Sequence, residues 1–108
     1  MSDATDRDVQ VHHERDTGRY IVTVDGIRAG LTEYHVRGGR HLFVHTEVDP
    51  AFGGMGVGGR LIEFALDDVR SHGGKVVPIC PFVAHWIEQH PDYGDLVDVD
   101  IMERLDSH

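Results

Sequence analysis

Along the first half of the chain, apolar and polar residues alternate with a period of two. Val9 to Glu14 (VQVHHE), Arg19 to Asp25 (RYIVTVD), Ala29 to Arg37 (AGLTEYHVR) and Arg40 to Val48 (RHLFVHTEV) are rich in β-branched and aromatic residues, the pattern of strands. The turn signals between them, DTG, GI and GG, are too short for crossovers and predict an antiparallel meander. After Val48 the period changes. Val57, Leu61, Ile62, Ala65, Leu66 and Val69 recur at helical spacing, and His72-Gly73-Gly74 stops the helix. Lys75 to Cys80 (KVVPIC) reads as a short buried strand. Pro81 suits the first turn of a second helix running from Phe82 to about Gln89, with Val83, Trp86 and Ile87 toward the core, and Pro91 ends it. Asp95 to Ile101 (DLVDVDI) is a candidate last strand, and about six residues at each end read as frayed. No repeat, low-complexity tract or linker divides the 108 residues. The expectation is one α+β domain spanning 1–108, a sheet with helices packed on it.

Composition changes this picture by exclusion. No apolar stretch approaches the roughly 18 to 20 residues that cross a bilayer, and the N-terminus MSDATDRDVQ lacks the basic start and apolar core of a secretory signal. A cytoplasmic location is expected. Ten Lys and Arg against nineteen Asp and Glu give a formal charge of −9, which opposes attraction to nucleic-acid backbones and anionic lipids. Cys80 is the single cysteine, so no internal disulfide and no CxxC metal pair exists. Nine histidines raise the question of a metal. On strict alternation His41 and His45 share a strand face but stand roughly 13 Å apart, too far to share one ion. His12 and His13 point to opposite faces, and His85 and His90, five apart, do not stack on a helix. Scattered surface histidines and no metal are expected. An exposed edge strand such as Val9 to Glu14 can pair between copies, so a monomer or weak homodimer is expected.

One segment asks for an explanation beyond packing. Gly53, Gly54, Gly56, Gly58 and Gly59 sit between the last meander strand and the first helix, where backbone N–H groups lack intrahelical partners and the helix dipole is positive. That is a phosphate-binding position, and glycine lets the phosphate approach the amides because a Cβ would hold it away. A nucleoside triphosphate loop needs Lys and then Ser or Thr after its last glycine, whereas Gly59 is followed by Arg60 and Leu61. The dinucleotide fingerprint GxGxxG fits Gly54, Gly56 and Gly59, but it needs a full βαβ sheet and an acidic residue roughly 20 residues on. Here the next strand ends in Ile79, Cys80 and Pro81, and hairpins precede the loop. The third reading is the diphosphate of acetyl-coenzyme A.

His45 to Val48 (HTEV), then GGMGVGGRLIEFAL, then VVPICPFVAHWIEQHPDYGDLV resemble the small YjdJ-type branch of the GCN5-related N-acetyltransferases (GNATs). The resemblance spans roughly Val9 to Val97. It implies a minimal GNAT fold in which the strand after the first helix runs parallel to the last meander strand and splays away from it, making room for acetyl-CoA. The superfamily's diphosphate motif, (Gln or Arg)-x-x-Gly-x-(Gly or Ala), aligns its two small positions with Gly56 and Gly58. Its first position falls on Gly53, which removes a side-chain contact. The resemblance implies donor contacts from Val48, Gly53, Gly54, Met55, Gly56, Val57, Gly58, Gly59, Arg60, Cys80 and Phe82, with the amides of Met55 to Gly59 available and the thioester near His45, Glu47 and Cys80. It also implies an open acceptor site, because small members lack the N-terminal helices that form the groove in larger relatives.

The chemistry sets its own requirements. An amine attacking a thioester must be neutral, so an imidazole or carboxylate has to take a proton, and His45 and Glu47, two apart on a strand, project from one face. Cys80, just ahead of a helix, is the candidate for an acetyl-cysteine route, ranked behind direct transfer. The resemblance also implies Tyr93 as a candidate acid for the leaving thiolate, a role a tyrosine has elsewhere in the superfamily, and Trp86 is expected in the core. The expected activity is N-acetyl transfer to an amine of unknown identity, with a non-catalytic coenzyme A-binding or interaction module as the alternative.

Overall fold

The computed structural model describes residues 7–98. Strands β1 (Val9–Glu14), β2 (Arg19–Val24), β3 (Ile27–Arg37) and β4 (Arg40–Val48) form the antiparallel meander that the short links require. Helix α1 (Val57–Ser71) then carries the chain back across the sheet, and β5 (Lys75–Pro78) joins it parallel to β4. Helix α2 (Pro81–Gln89) follows. The sheet order is β1-β2-β3-β4-β5, so the α+β arrangement expected from the sequence is found, splayed parallel strand included.

The helical stripe explains the packing. Val57, Leu61, Ile62, Ala65, Leu66 and Val69 are all buried on α1, against Tyr20, Val22 and Val24 of β2, Phe43 of β4 and Val76 of β5. Each such aliphatic side chain taken from water stabilises the fold by about 1.5–3 kcal/mol. Val83, Trp86 and Ile87 of α2 complete this core.

Several element ends differ from the sequence reading, β2 stopping at Val24 and β3 starting at Ile27 among them, and two of the differences bear on the site. β5 ends at Pro78 instead of Cys80, because proline cannot donate to the ladder and Ile79 N–H turns back to the Val77 carbonyl at 3.0 Å. Asp95 and Leu96 belong to a 3-10 turn over Pro91–Leu96, so the expected last strand starts no earlier than Val97, which makes a single parallel bridge to Val76. Its remainder from 99 onward, like the two ends read as frayed, lies outside the described residues.

A bulge resets the faces of β4. Glu33 pairs with His45 while Tyr34 pairs with Phe43, which leaves Val44 without a partner in β3. The extra residue inverts the alternation. His41 and Phe43 before it, and Thr46 and Val48 after it, therefore face α1, while His45 and Glu47 face away. The expectation that His41 and His45 share a face fails for this reason.

Candidate functional site

The parting of β4 and β5 creates the site. Their pairing runs only from Arg40 with Lys75 to Phe43 with Pro78, and the last tie is Cys80 N–H to the Phe43 carbonyl at 2.8 Å. Beyond it, Val44 to Val48 has no strand partner on that side among the described residues. A wedge opens between this half of β4 and the start of α2, with Cys80 at its apex. Cys80 is 6% exposed, and its thiol donates to Thr46 Oγ1 at 3.4 Å. The Thr46 and Thr32 hydroxyls lie 2.9 Å apart, and Thr32 Oγ1 reaches the His45 carbonyl at 3.2 Å. Each hydroxyl has one proton, so the chain runs in one direction, from Cys80 through Thr46 and Thr32 to His45 C=O. Although Cys80 is the N-cap residue of α2, its side chain makes no cap hydrogen bond there. Thr32 and Thr46 are not among the residues expected from the sequence, since a threonine on a strand carries no signal of its own.

The glycine loop lines the mouth of the wedge. Gly53 N–H donates to the Pro50 carbonyl at 3.0 Å and Met55 N–H to the Phe52 carbonyl at 3.3 Å, while Arg60 N–H makes the first bond of α1, to Gly56, at 3.1 Å. The Met55 amide is thus engaged, against the expectation that it is free. The amides of Gly54, Gly56, Val57, Gly58 and Gly59 have no partner among the described residues. Gly56 caps α1 in the left-handed region at φ 74°, which only glycine adopts readily. Gly58 serves a different need: a Cβ there would meet Phe82 Cζ at 2.7 Å and Val48 Cγ2 at 3.2 Å. Close packing of α1 on β4 and α2 requires this glycine, and not clearance for a ligand alone. Phe82 is 41% exposed at the rim. Val57 is buried and offers only its amide, whereas Arg60 is exposed and forms no ion pair among the described residues.

His45 Nε2 and Glu47 Oε2 are 2.7 Å apart on the outer face of β4. A carboxylate accepts, so Nε2 carries the proton and Nδ1 is the free base nitrogen. Both side chains are exposed. The structure joins this pair but does not bring it to Cys80, which lies with Thr46 on the opposite face. Tyr93 lies elsewhere: its hydroxyl donates to Asp67 Oδ1 at 2.8 Å, and that carboxylate, with some burial, pushes the phenol up to about 12. Its ring packs edge-on against Trp86 and under Arg70, tying the last turn to α1. Trp86 is in the core as expected, with the His90 ring stacked on it at 3.8 Å. Among the described residues no group of three or more His, Cys, Asp or Glu is placed to hold a metal ion, and no helix is long and apolar enough to cross a membrane.

A model of the GCN5-related N-acetyl-transferase family matches residues 19–96. The solution structure of a GCN5-like candidate N-acetyltransferase from Staphylococcus aureus superposes with a TM-score of 0.65 at 21% identity, covering 82% of this chain and 86% of that one. The ribosomal-protein-S18-alanine N-acetyltransferase from Escherichia coli superposes with a TM-score of 0.52 at 22% identity, over 54% of this chain and 38% of that protein. At these identities the likeness is one of fold. No curated protein matches the sequence.

Proposed function

This chain belongs to the GCN5-related N-acetyltransferase family, and on that premise we propose that it moves an acetyl group from acetyl-CoA to an amine. The observation that carries the reading is the set of five unpartnered amides at the head of α1 beside the open half of β4. An anionic diphosphate fits the first, because free N–H groups and the positive helix end both favour it. An amide-bearing arm fits the second, since an unpaired strand edge offers alternating donors and acceptors. Gly54, Gly56, Val57, Gly58 and Gly59 hold the diphosphate, with Arg60 adding charge. Met55 and Gly53 shape the loop, and Val48 and Phe82 wall the wedge.

Bound acetyl-CoA supplies an activated acetyl thioester. The incoming amine forms the new C–N bond as the C–S bond breaks, and its proton has to leave. His45 Nδ1, held by Glu47, takes that proton, directly or through water. The thiol proton of Cys80 is committed to Thr46 and the sulfur is almost wholly covered, which favours direct transfer over an acetyl-cysteine route.

Binding and turnover need separate tests. Calorimetry with acetyl-CoA, with NAD as control, is expected to give saturable binding of the first only. Thiol release in the presence of an amine panel is then expected, and Cys80→Ala is expected to retain it. Absence of acetyl-CoA binding would refute the site. Binding with no release on any amine would favour the non-catalytic module.

A further inference from the structure

Three turns further along α1, roughly 16 Å from Val57, a second constellation gathers that shares no residue with the wedge. Asp68 Oδ2 accepts from the Tyr20 hydroxyl at 2.8 Å and faces His13 Nδ1 at 3.2 Å. Arg15 Nε lies 3.5 Å from the same His13 nitrogen, but one nitrogen cannot donate to a carboxylate and accept from a guanidinium. The shorter contact, with an anion, assigns the proton to Nδ1. His13 Nε2 then accepts from the Tyr34 hydroxyl at 2.5 Å.

Two opposite charges remain unmatched. Arg15 has no carboxylate partner among the described residues. Asp68 Oδ1 has only His72 Nδ1, at 3.6 Å, and that nitrogen is already 2.7 Å from the Asp68 carbonyl. Arg15 and Asp68 do not meet each other, yet both line one cavity of about 270 Å³ with His13, Tyr34, His41 and His72. His41 Nδ1 is buried against Gly74, behind this lining, without a hydrogen-bond partner among the described residues.

We infer that this cavity binds a small zwitterion of the amino-acid class, its ammonium group on Asp68 Oδ1 and its carboxylate on Arg15. Charges of opposite sign that line one cavity without pairing to each other are matched by a ligand carrying both, and neither half alone satisfies the site. The rings of Tyr34, His13 and His41 lie 5.1 to 5.7 Å apart and pack together behind the cavity lining. Burial lowers the pKa of His13 and His41 from 6.5, against the pull of Asp68 and aided by Arg15 beside His13 and by His72. The two imidazoles are therefore neutral at neutral pH and do not repel the ammonium.

The test is an NMR titration of the full chain with L-alanine, β-alanine and γ-aminobutyrate, and with acetate and methylammonium as the two halves, at constant ionic strength. At least one zwitterion is expected to saturate and to shift the ring protons of His13, His41 and His72, with each half binding at least about tenfold more weakly. Arg15→Gln, at an exposed position, is expected to lower zwitterion affinity about tenfold, Arg15→Lys to recover part of it, and acetyl-CoA affinity to stay unchanged in both. Acetate binding as tightly as the zwitterions would overturn the proposal in favour of a simple anion site. So would an unaffected Arg15→Gln variant, or the absence of any saturable shift.

Discussion

At the scale of single residues, the loop glycines separate into two kinds with different failure modes. Gly58→Ala places its Cβ 2.7 Å from Phe82 Cζ and 3.2 Å from Val48 Cγ2. Phe82 and Val48 both have to shift, an overpacking cost of about 1–3 kcal/mol against a helix gain of about 1 kcal/mol, so the thermal midpoint is expected to fall and acetyl-CoA affinity in calorimetry to fall with the displaced Phe82. Gly56→Ala instead forces an L side chain to φ 74°, with an expected loss of about 1–2 kcal/mol in urea unfolding. Thr46→Val removes the acceptor of the Cys80 proton and the partner of Thr32. Thr32 still donates to the His45 carbonyl, so only the thiol is left without an acceptor: the loss in urea unfolding is expected to be about 1 kcal/mol, and the freed thiol to react faster with a maleimide.

At the scale of elements, α1 is the piece that both helps complete the core and presents the loop. Leu66 is fully buried on it, and Leu66→Ala is expected to cost about 2–5 kcal/mol in chemical denaturation. Such elements were legible in the sequence because their signals are local. The period of two marks β1 to β4, the period of 3.6 marks α1, and Pro81 marks the start of α2. What escaped depends on partners distant along the chain. The need for glycine at 58 comes from Phe82, 24 residues on. The outward turn of His45 comes from a bulge at Val44 that shows only in the register with β3. His13, His41, His72 and Asp68 looked scattered because they come from three elements that meet only once α1 lies on the sheet. The loop itself was legible as a run of backbone amides ahead of α1, though not that Met55 N–H is consumed within it.

For the whole molecule, the buried imidazoles set a pH dependence. His13 and His41 titrate below 6.5 in the folded chain, so between those values and 6.5 the unfolded chain binds more protons. Stability is then complete above about 6.5 and is lost as pH falls through the folded values. The urea midpoint is expected to drop from pH 7.5 to pH 5.5, and less steeply in His13→Gln. The unpaired half of β4 has a different consequence, one of colloidal behaviour. A sheet normally has two sticky borders, and this one has a third inside it, where the backbone of Val44 to Val48 faces an open wedge. An extended segment of any neighbouring chain can lodge there as readily as a pantetheine arm. On the proposed function acetyl-CoA acts as a plug as well as a substrate, and concentrated protein stored with acetyl-CoA is expected to scatter less light than protein stored without it.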